Sequence, residues 1–239
     1  LIGMIGESYG GAVQLLASVR DRRIDALVPM TTWYDLDQAL FPNGVPKTGW
    51  ITFLGGVGYL TNPLHMDHTM NRWFVGEMFG HHQPQLRQTL RNNSLASHCG
   101  NGQWPKADAL LMPGLRDVLF PYNQAVDMQR CFKQAGRDVR LVAVADGHLL
   151  PDQQWSPGMS IWYMQKEVVC AGKPLKTAAL VRDWLDGKGG WKNNDTRLAI
   201  AVTSPERETL YVDPSGSNYG RYVGRCVADP TVVKFPEVR

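Results

Sequence analysis

"LIGMIGESYGG", residues 1–11, decides the fold. A short apolar run closes on Gly6, a serine stands at position 8, and a helical pattern begins immediately after it. "LIGMIG" has the length and composition of a fully buried strand. "GGAVQLLASVRD" (residues 10–21) then sets Ala12, Leu15, Leu16 and Val19 at helical spacing. "RIDALVPM" (residues 23–30) reads as a second buried strand, closed by Pro29. Strand, tight turn, helix, strand is a βαβ unit, which predicts a parallel sheet with right-handed crossovers.

Within that unit, Gly6-Glu7-Ser8-Tyr9-Gly10 is G-x-S-x-G at a strand-to-helix junction. In a nucleophile elbow the serine occupies a sharp, strained turn that lifts its hydroxyl above the sheet. The flanking glycines are expected because strand and helix approach too closely there for a Cβ. The same turn aims the N–H of Tyr9 at the place where an oxyanion forms, and the helix N-terminus adds partial positive charge. A plain glycine-rich turn with a surface serine is the alternative.

The totals exclude several classes. The 239 residues are enough for one large or two small domains, and the net charge of +3 is small for that length. Lysines and arginines never form a run of five, which argues against a nucleic-acid partner. No apolar stretch reaches 18 residues, so no membrane span is expected. Four cysteines (Cys99, Cys131, Cys170, Cys226) form no C-x-x-C pair. Their even number allows two disulfides and a secreted or periplasmic life, or four reduced thiols in the cytoplasm.

Along the chain, four stretches are expected: residues 1–36 as the first part of an α/β core, 37–104 as an insertion, 105–187 as the second part of the core, and 188–239 as a β-rich extension. The insertion carries glycine- and proline-rich segments without clear period, "FPNGVPKTGW" and "FLGGVGYLTNP". Two short amphipathic helices follow in it, "NRWFVGEMFG" and "PQLRQTLRNNSL". The alternation then resumes with "ADALLMPG" as a strand, "PYNQAVDMQRCFKQAG" as a helix and "DVRLVAVADG" as a strand. "PLKTAALVRDWLDG" reads as a helix opened by Pro174, and "RLAIAVT", "ETLYVDPSG" and "GRYVGRCVA" as short strands.

A serine hydroxyl needs a base, and the base an orienting acid. In the α/β-hydrolase arrangement these follow in the order Ser, Asp or Glu, His, on loops after later strands. Asp117 lies just past "ADALLM", and His148 just past "DVRLVAV". Asp108 begins its strand at the opposite edge, Asp127 falls on the following helix, and Asp146 stands too close to His148 in sequence to orient it easily. The other five histidines fall in the insertion and lack H-E-x-x-H spacing, so no metal or other cofactor is expected.

At these residues the chain resembles a known family. "GMIGESYGGAVQ", "RIDALVPMTTWYDLDQALFPNGVPKTGW" and "GLRDVLFPYNQAVDMQRCFKQAGRDVRLVAVADGH" resemble the X-Pro dipeptidyl-peptidase and bacterial cocaine-esterase group of α/β-hydrolases, over roughly residues 1–150. The resemblance implies a serine hydrolase acting on a small-molecule ester or a peptide, with Ser8 as nucleophile, Asp117 as acid and His148 as base. It implies that the insertion is a mostly helical cap and that Trp33 and Tyr34 lie near the acyl pocket. It also implies that the chain is truncated at its N-terminus, with earlier strands and the second oxyanion donor upstream of Leu1. An acyltransferase with the same triad, or a binding-only fragment, are the rival functions. Oligomeric state is not readable from the sequence. For peptide cleavage, Glu77 is the available acid to hold a free N-terminus.

Overall fold

The computed structural model describes residues 2–61, 67–114, 117–144, 147–148, 167–170, 173–186, 198–201 and 225–227. Its centre is a parallel sheet built from β1 (Gly3–Glu7), β2 (Ala26–Met30), β3 (Asp108–Leu111) and β4 (Val139–Val144), in that spatial order. Registers run Gly3 opposite Ala26, Ala26 opposite Asp108, and Ala109 opposite Val139. Helix α1 (Tyr9–Arg20) crosses from β1 to β2, and α7 (Asn123–Gln134) crosses from β3 to β4.

Strands covered on both faces read as continuous apolar runs, and β2 is buried at every position. Its side chains alternate between two cores. Leu27 packs with Leu15, Val19, Leu111, Phe132 and Leu141 under α1 and α7. Ala26, Val28 and Met30 face the other side, with Leu180, Val181 and Trp184 of α8 (Thr177–Leu185). The Trp184 indole N–H donates to the Leu27 carbonyl at 3.1 Å, which seats α8 on the sheet.

Between β2 and β3 the chain makes α2 (Leu36–Leu40), a 3-10 turn (Pro42–Gly44), α3 (Thr48–Thr61), α4 (His68–Met78), α5 (Pro84–Asn92) and α6 (Leu95–Gly100). The stretch from residue 48 to 61, expected to lack a period, is therefore helical. Its apolar content hid the helix, because Leu54, Val57, Tyr59 and Leu60 stay exposed while only Trp50 and Ile51 are buried. A buried ion pair ties this region together: Asp37 of α2 meets Arg87 and, at 3.0 Å, Arg91 of α5. Cys99 of α6 is disulfide-bonded to Cys131 of α7.

Farther along, β5 (Glu167–Cys170) and β6 (Lys173–Lys176) pair antiparallel. The helix expected from Pro174 therefore begins only at Thr177, since the preceding residues belong to this hairpin. β7 (Leu198–Ala201) joins the main sheet parallel to β4, and β8 (Arg225–Val227) pairs antiparallel with β7. The expected strand at residues 208–216 lies outside the described residues. Among the described residues no helix is long and apolar enough to cross a membrane.

Candidate active site

The turn after β1 is strained. Ser8 has φ 51° and ψ −117°, a conformation that L-residues rarely adopt. Its N–H donates to Met30 O at 2.9 Å, continuing the ladder with β2. A Cβ at Gly6 meets the carbonyl carbon and oxygen of Gly10 at 2.9 Å, so strand and helix touch at a glycine, as expected. At Gly10 a Cβ meets nothing within 4 Å. The second obligatory small residue is instead Gly11, whose Cβ would lie 2.7 Å from Thr32 Cβ. Gly10 contributes its backbone to the contact and needs no missing side chain.

Two polar side chains secure the turn. Thr32 Oγ1 donates to Ser8 O at 2.7 Å. Gln14, fully buried on α1, accepts from Val28 N at 2.9 Å and turns its amide N–H group toward the carbonyls of Gly6, Gly10 and Val28. The apolar spacing of α1 did not single out Gln14 or Ser18, yet both are on its buried face. Their signal is positional: they fall between Leu15, Gly11 and Val19 on the same stripe.

Ser8 caps α1 without a side-chain capping bond. Its hydroxyl faces His148 instead, with Nε2 and Oγ at 3.0 Å. His148 Nδ1 lies 2.8 Å from Asp117 Oδ2. The other Asp117 oxygen accepts from the N–H groups of Leu119 (2.9 Å) and Phe120 (2.8 Å), so the tight turn after β3 fixes the carboxylate. Asp117 is 3% exposed and His148 5%. The imidazole is gripped edge-on by Phe120 (centroids 4.9 Å apart) and by Trp50 of α3 (5.8 Å). Lys47 Nζ donates to Val118 O and Leu119 O, and burial lowers the pKa of this half-buried ammonium while Asp117 raises it.

The three residues come from three loops, after β1, β3 and β4, all at the C-terminal edge of one sheet. The competing acids are elsewhere. Asp108 accepts from Asp138 N at the start of β3, and Asp127 pairs with Arg130 on the surface. Asp146 lies outside the described residues.

A cavity of about 430 Å³ opens beside Ser8. Tyr9 and Trp33 line it, together with apolar side chains of the inserted helices such as Leu40, Ile51 and Phe74. Tyr9, the first residue of α1, is 73% exposed, and its ring lies 6.2 Å from that of Trp33. Tyr34 does not line the cavity. Adjacent residues of an extended segment point opposite ways, and Tyr34 packs against the core under α6 and α7 while its N–H donates to Gln124. Glu77 is absent from the cavity too: it is buried, accepts from Gln83 N at 2.7 Å and sits 3.5 Å from His82. The acidic residue among those lining the cavity is Asp67, the N-cap of α4.

A family model described as X-Pro dipeptidyl-peptidase (S15 family) matches residues 1–150. The chain belongs to this family. The parallel sheet, the elbow and the helices on both faces make it an α/β-hydrolase. Similar solved structures include an acylaminoacyl peptidase of Pyrococcus horikoshii (16% identity, 80% of this chain and 23% of that one, TM-score 0.44). A rice cell wall degrading esterase, LipA, from Xanthomonas oryzae is another (16% identity, 78% and 58%, TM-score 0.44). A third is a puromycin-hydrolyzing peptidase of Mycobacterium tuberculosis (17% identity, 61% and 18%, TM-score 0.41). The S15-family chain thus spans between 18% and 58% of the length of these three proteins. No curated protein matches it.

One residue beside this cluster carries no mark in the sequence reading. Glu7, the residue before Ser8, has its Oε2 buried without a hydrogen-bond partner among the described residues. Burial raises its carboxyl pKa, and the charge of His148 acts in the opposite direction. The available signal was an acidic side chain at the last position of an otherwise apolar strand.

Proposed function

We propose that this chain is a serine hydrolase that cleaves an ester or amide bond through an acyl-enzyme. Ser8 Oγ attacks the carbonyl carbon while His148 Nε2 takes its proton, and Asp117 holds the imidazole in place and stabilises the imidazolium. The N–H of Tyr9, at the head of α1, contributes to the oxyanion site. Collapse of the tetrahedral intermediate passes that proton from His148 to the departing alcohol or amine. Water, deprotonated by His148, then attacks the acyl-enzyme and frees Ser8. The scheme uses no cofactor.

One observation carries this reading: the continuous relay from Asp117 through His148 to Ser8, with contacts of 2.8 and 3.0 Å. A fluorophosphonate probe tests it. The parent chain is expected to label and Ser8→Ala to remain unlabelled; an unlabelled parent chain refutes the reading.

The cavity supports an apolar acyl or leaving group in contact with Trp33 and Phe74. An X-Pro peptide, the substrate the family is named for, would present its ammonium to Asp67, not to Glu77. One Asp67 oxygen caps α4 by accepting from Thr69 and Met70, which leaves the other for a cation. The disulfide between Cys99 and Cys131 supports a location outside the reducing cytosol.

A further inference from the structure

Ser8, His148 and Asp117 form the relay, and one further residue with chemistry stands beside it in the chain: Glu7. It is the last residue of β1 and directly precedes Ser8, so its backbone is fixed by the same ladder that holds the nucleophile. The buried oxygen of its carboxyl finds no donor among the described residues.

A buried carboxylate without a donor is costly, and such a group persists where a charge compensates it. The cation in whose field Glu7 lies is the protonated form of His148. A histidine that acts as general base takes up its proton only during the transfer, so before it Glu7 faces no imidazolium. When Ser8 gives up its proton, the imidazole becomes a cation in the field of two carboxylates. The interaction is thus weak in the ground state and strong in the transition state, which is the condition for raising kcat.

We propose that Glu7 is a positioning residue of the triad, whose carboxylate stabilises the imidazolium form of His148 during acyl transfer. This rests on the hydrolase reading given above. Charged groups near the imidazole include Asp117 at Nδ1, Glu7 from β1, and Lys47, which acts on Asp117. Phe120 and Trp50 pack against the ring at right angles. Asp117 keeps its two backbone donors and its contact with Nδ1 whatever stands at position 7, so the two carboxylates are separable by mutation.

The test compares the full chain with Glu7→Gln on p-nitrophenyl butyrate between pH 5 and pH 9. Removing the charge is expected to lower plateau kcat roughly three- to tenfold, the equivalent of half to one pKa unit of lost cation stabilisation. The acid limb of kcat/KM, which reports the base of the free enzyme, is expected to move down by about half to one pH unit. KM should stay within about twofold, since Glu7 does not line the cavity. A slower enzyme that nonetheless keeps its base deprotonated to lower pH is not what structural damage produces. Should Glu7→Gln not fold, Glu7→Asp keeps the charge on a shorter stem and is expected to move both quantities part of the way. A folded variant whose acid limb and kcat coincide with the parent's overturns the proposal and leaves the hydrolase reading standing. A parent chain that neither labels with a fluorophosphonate nor hydrolyses the ester removes both.

Discussion

Gly10 and Gly11, just after Ser8, make a matched pair for measuring how tightly the turn is packed. Both lie in the first turn of α1 at negative φ, so alanine fits the backbone at either position. An alanine in place of a helical glycine gains about 0.5–1 kcal/mol, mainly by restricting the unfolded chain. At Gly10 nothing opposes that gain, because a Cβ there meets no atom within 4 Å. At Gly11 the new methyl lands 2.7 Å from Thr32 Cβ and 3.0 Å from its Cγ2. Thr32 Cβ is a branch point next to the backbone and cannot swing aside, so overpacking of about 1–3 kcal/mol opposes the same intrinsic gain. The expected separation between Gly10→Ala and Gly11→Ala is that full 1–3 kcal/mol, or about 2–12 °C in Tm for a domain of this size. Thermal unfolding followed by circular dichroism at one pH reads it directly. Gly11→Ala should also slow fluorophosphonate labelling, because Thr32 carries the hydrogen bond to Ser8 O. Equal melting temperatures for the two variants would refute the close approach of α1 to the segment after β2.

Other consequences are equally measurable. Reducing the Cys99–Cys131 bond, which closes a separation of 32 residues, should cost about 3–4 kcal/mol in the chain-entropy description; denaturant titration with and without dithiothreitol, and a free-thiol count in the unfolded chain, check it. Asp37→Ala leaves the nearly buried Arg87 without its carboxylate and should destabilise by about 3 kcal/mol, read from the urea midpoint at constant m. Glu7 has a raised folded-state pKa, so its neutral form favours the fold: that contribution is complete below the unfolded value and disappears as pH rises through the folded one. Glu7→Gln should accordingly raise Tm at pH 7 and leave it unchanged near pH 4. Asp67→Asn should weaken kcat/KM for a substrate with a free amino terminus by roughly tenfold or more and spare a neutral ester, since a single charge-assisted contact is about 1.5–3 kcal/mol.

Much of the core was open to reading from local pattern. The turn at Ser8 announces itself because glycine, serine and a change of period coincide within five residues, and steric necessity writes that coincidence. Asp117 and His148 could be located because each immediately follows an apolar run long enough to be a buried strand. The loops that carry them sit at one edge because all the strands are parallel. What failed depended on neighbours distant in the chain. The glycine-rich helix α3 buries only Trp50 and Ile51, so no apolar stripe marks it. Tyr34 and Trp33 have the same aromatic character, and only the path of the extended segment sends one to the core and the other to the cavity. Glu77 was a reasonable acid until Gln83 and His82 claimed its carboxylate. Glu7 carries no sequence mark of its own beyond a charge where an apolar residue would fit.

The helices α2 to α6 enter the chain between β2 and β3, whereas Ser8, Asp117 and His148 follow β1, β3 and β4. The insertion thus interrupts none of the three connections that aim the reactive groups. Asp37 of α2 braces it internally against Arg87 of α5, and Cys99 of α6 fastens it to α7. Lengthening, shortening or exchanging the middle of this segment leaves the chemistry's foundations undisturbed. The exceptions are Lys47, which donates to the carbonyls of Val118 and Leu119 beside Asp117, and Trp50, whose ring packs at right angles to the imidazole. An exchanged segment must supply both contacts, and those two requirements couple its composition to the alignment of Asp117 and His148.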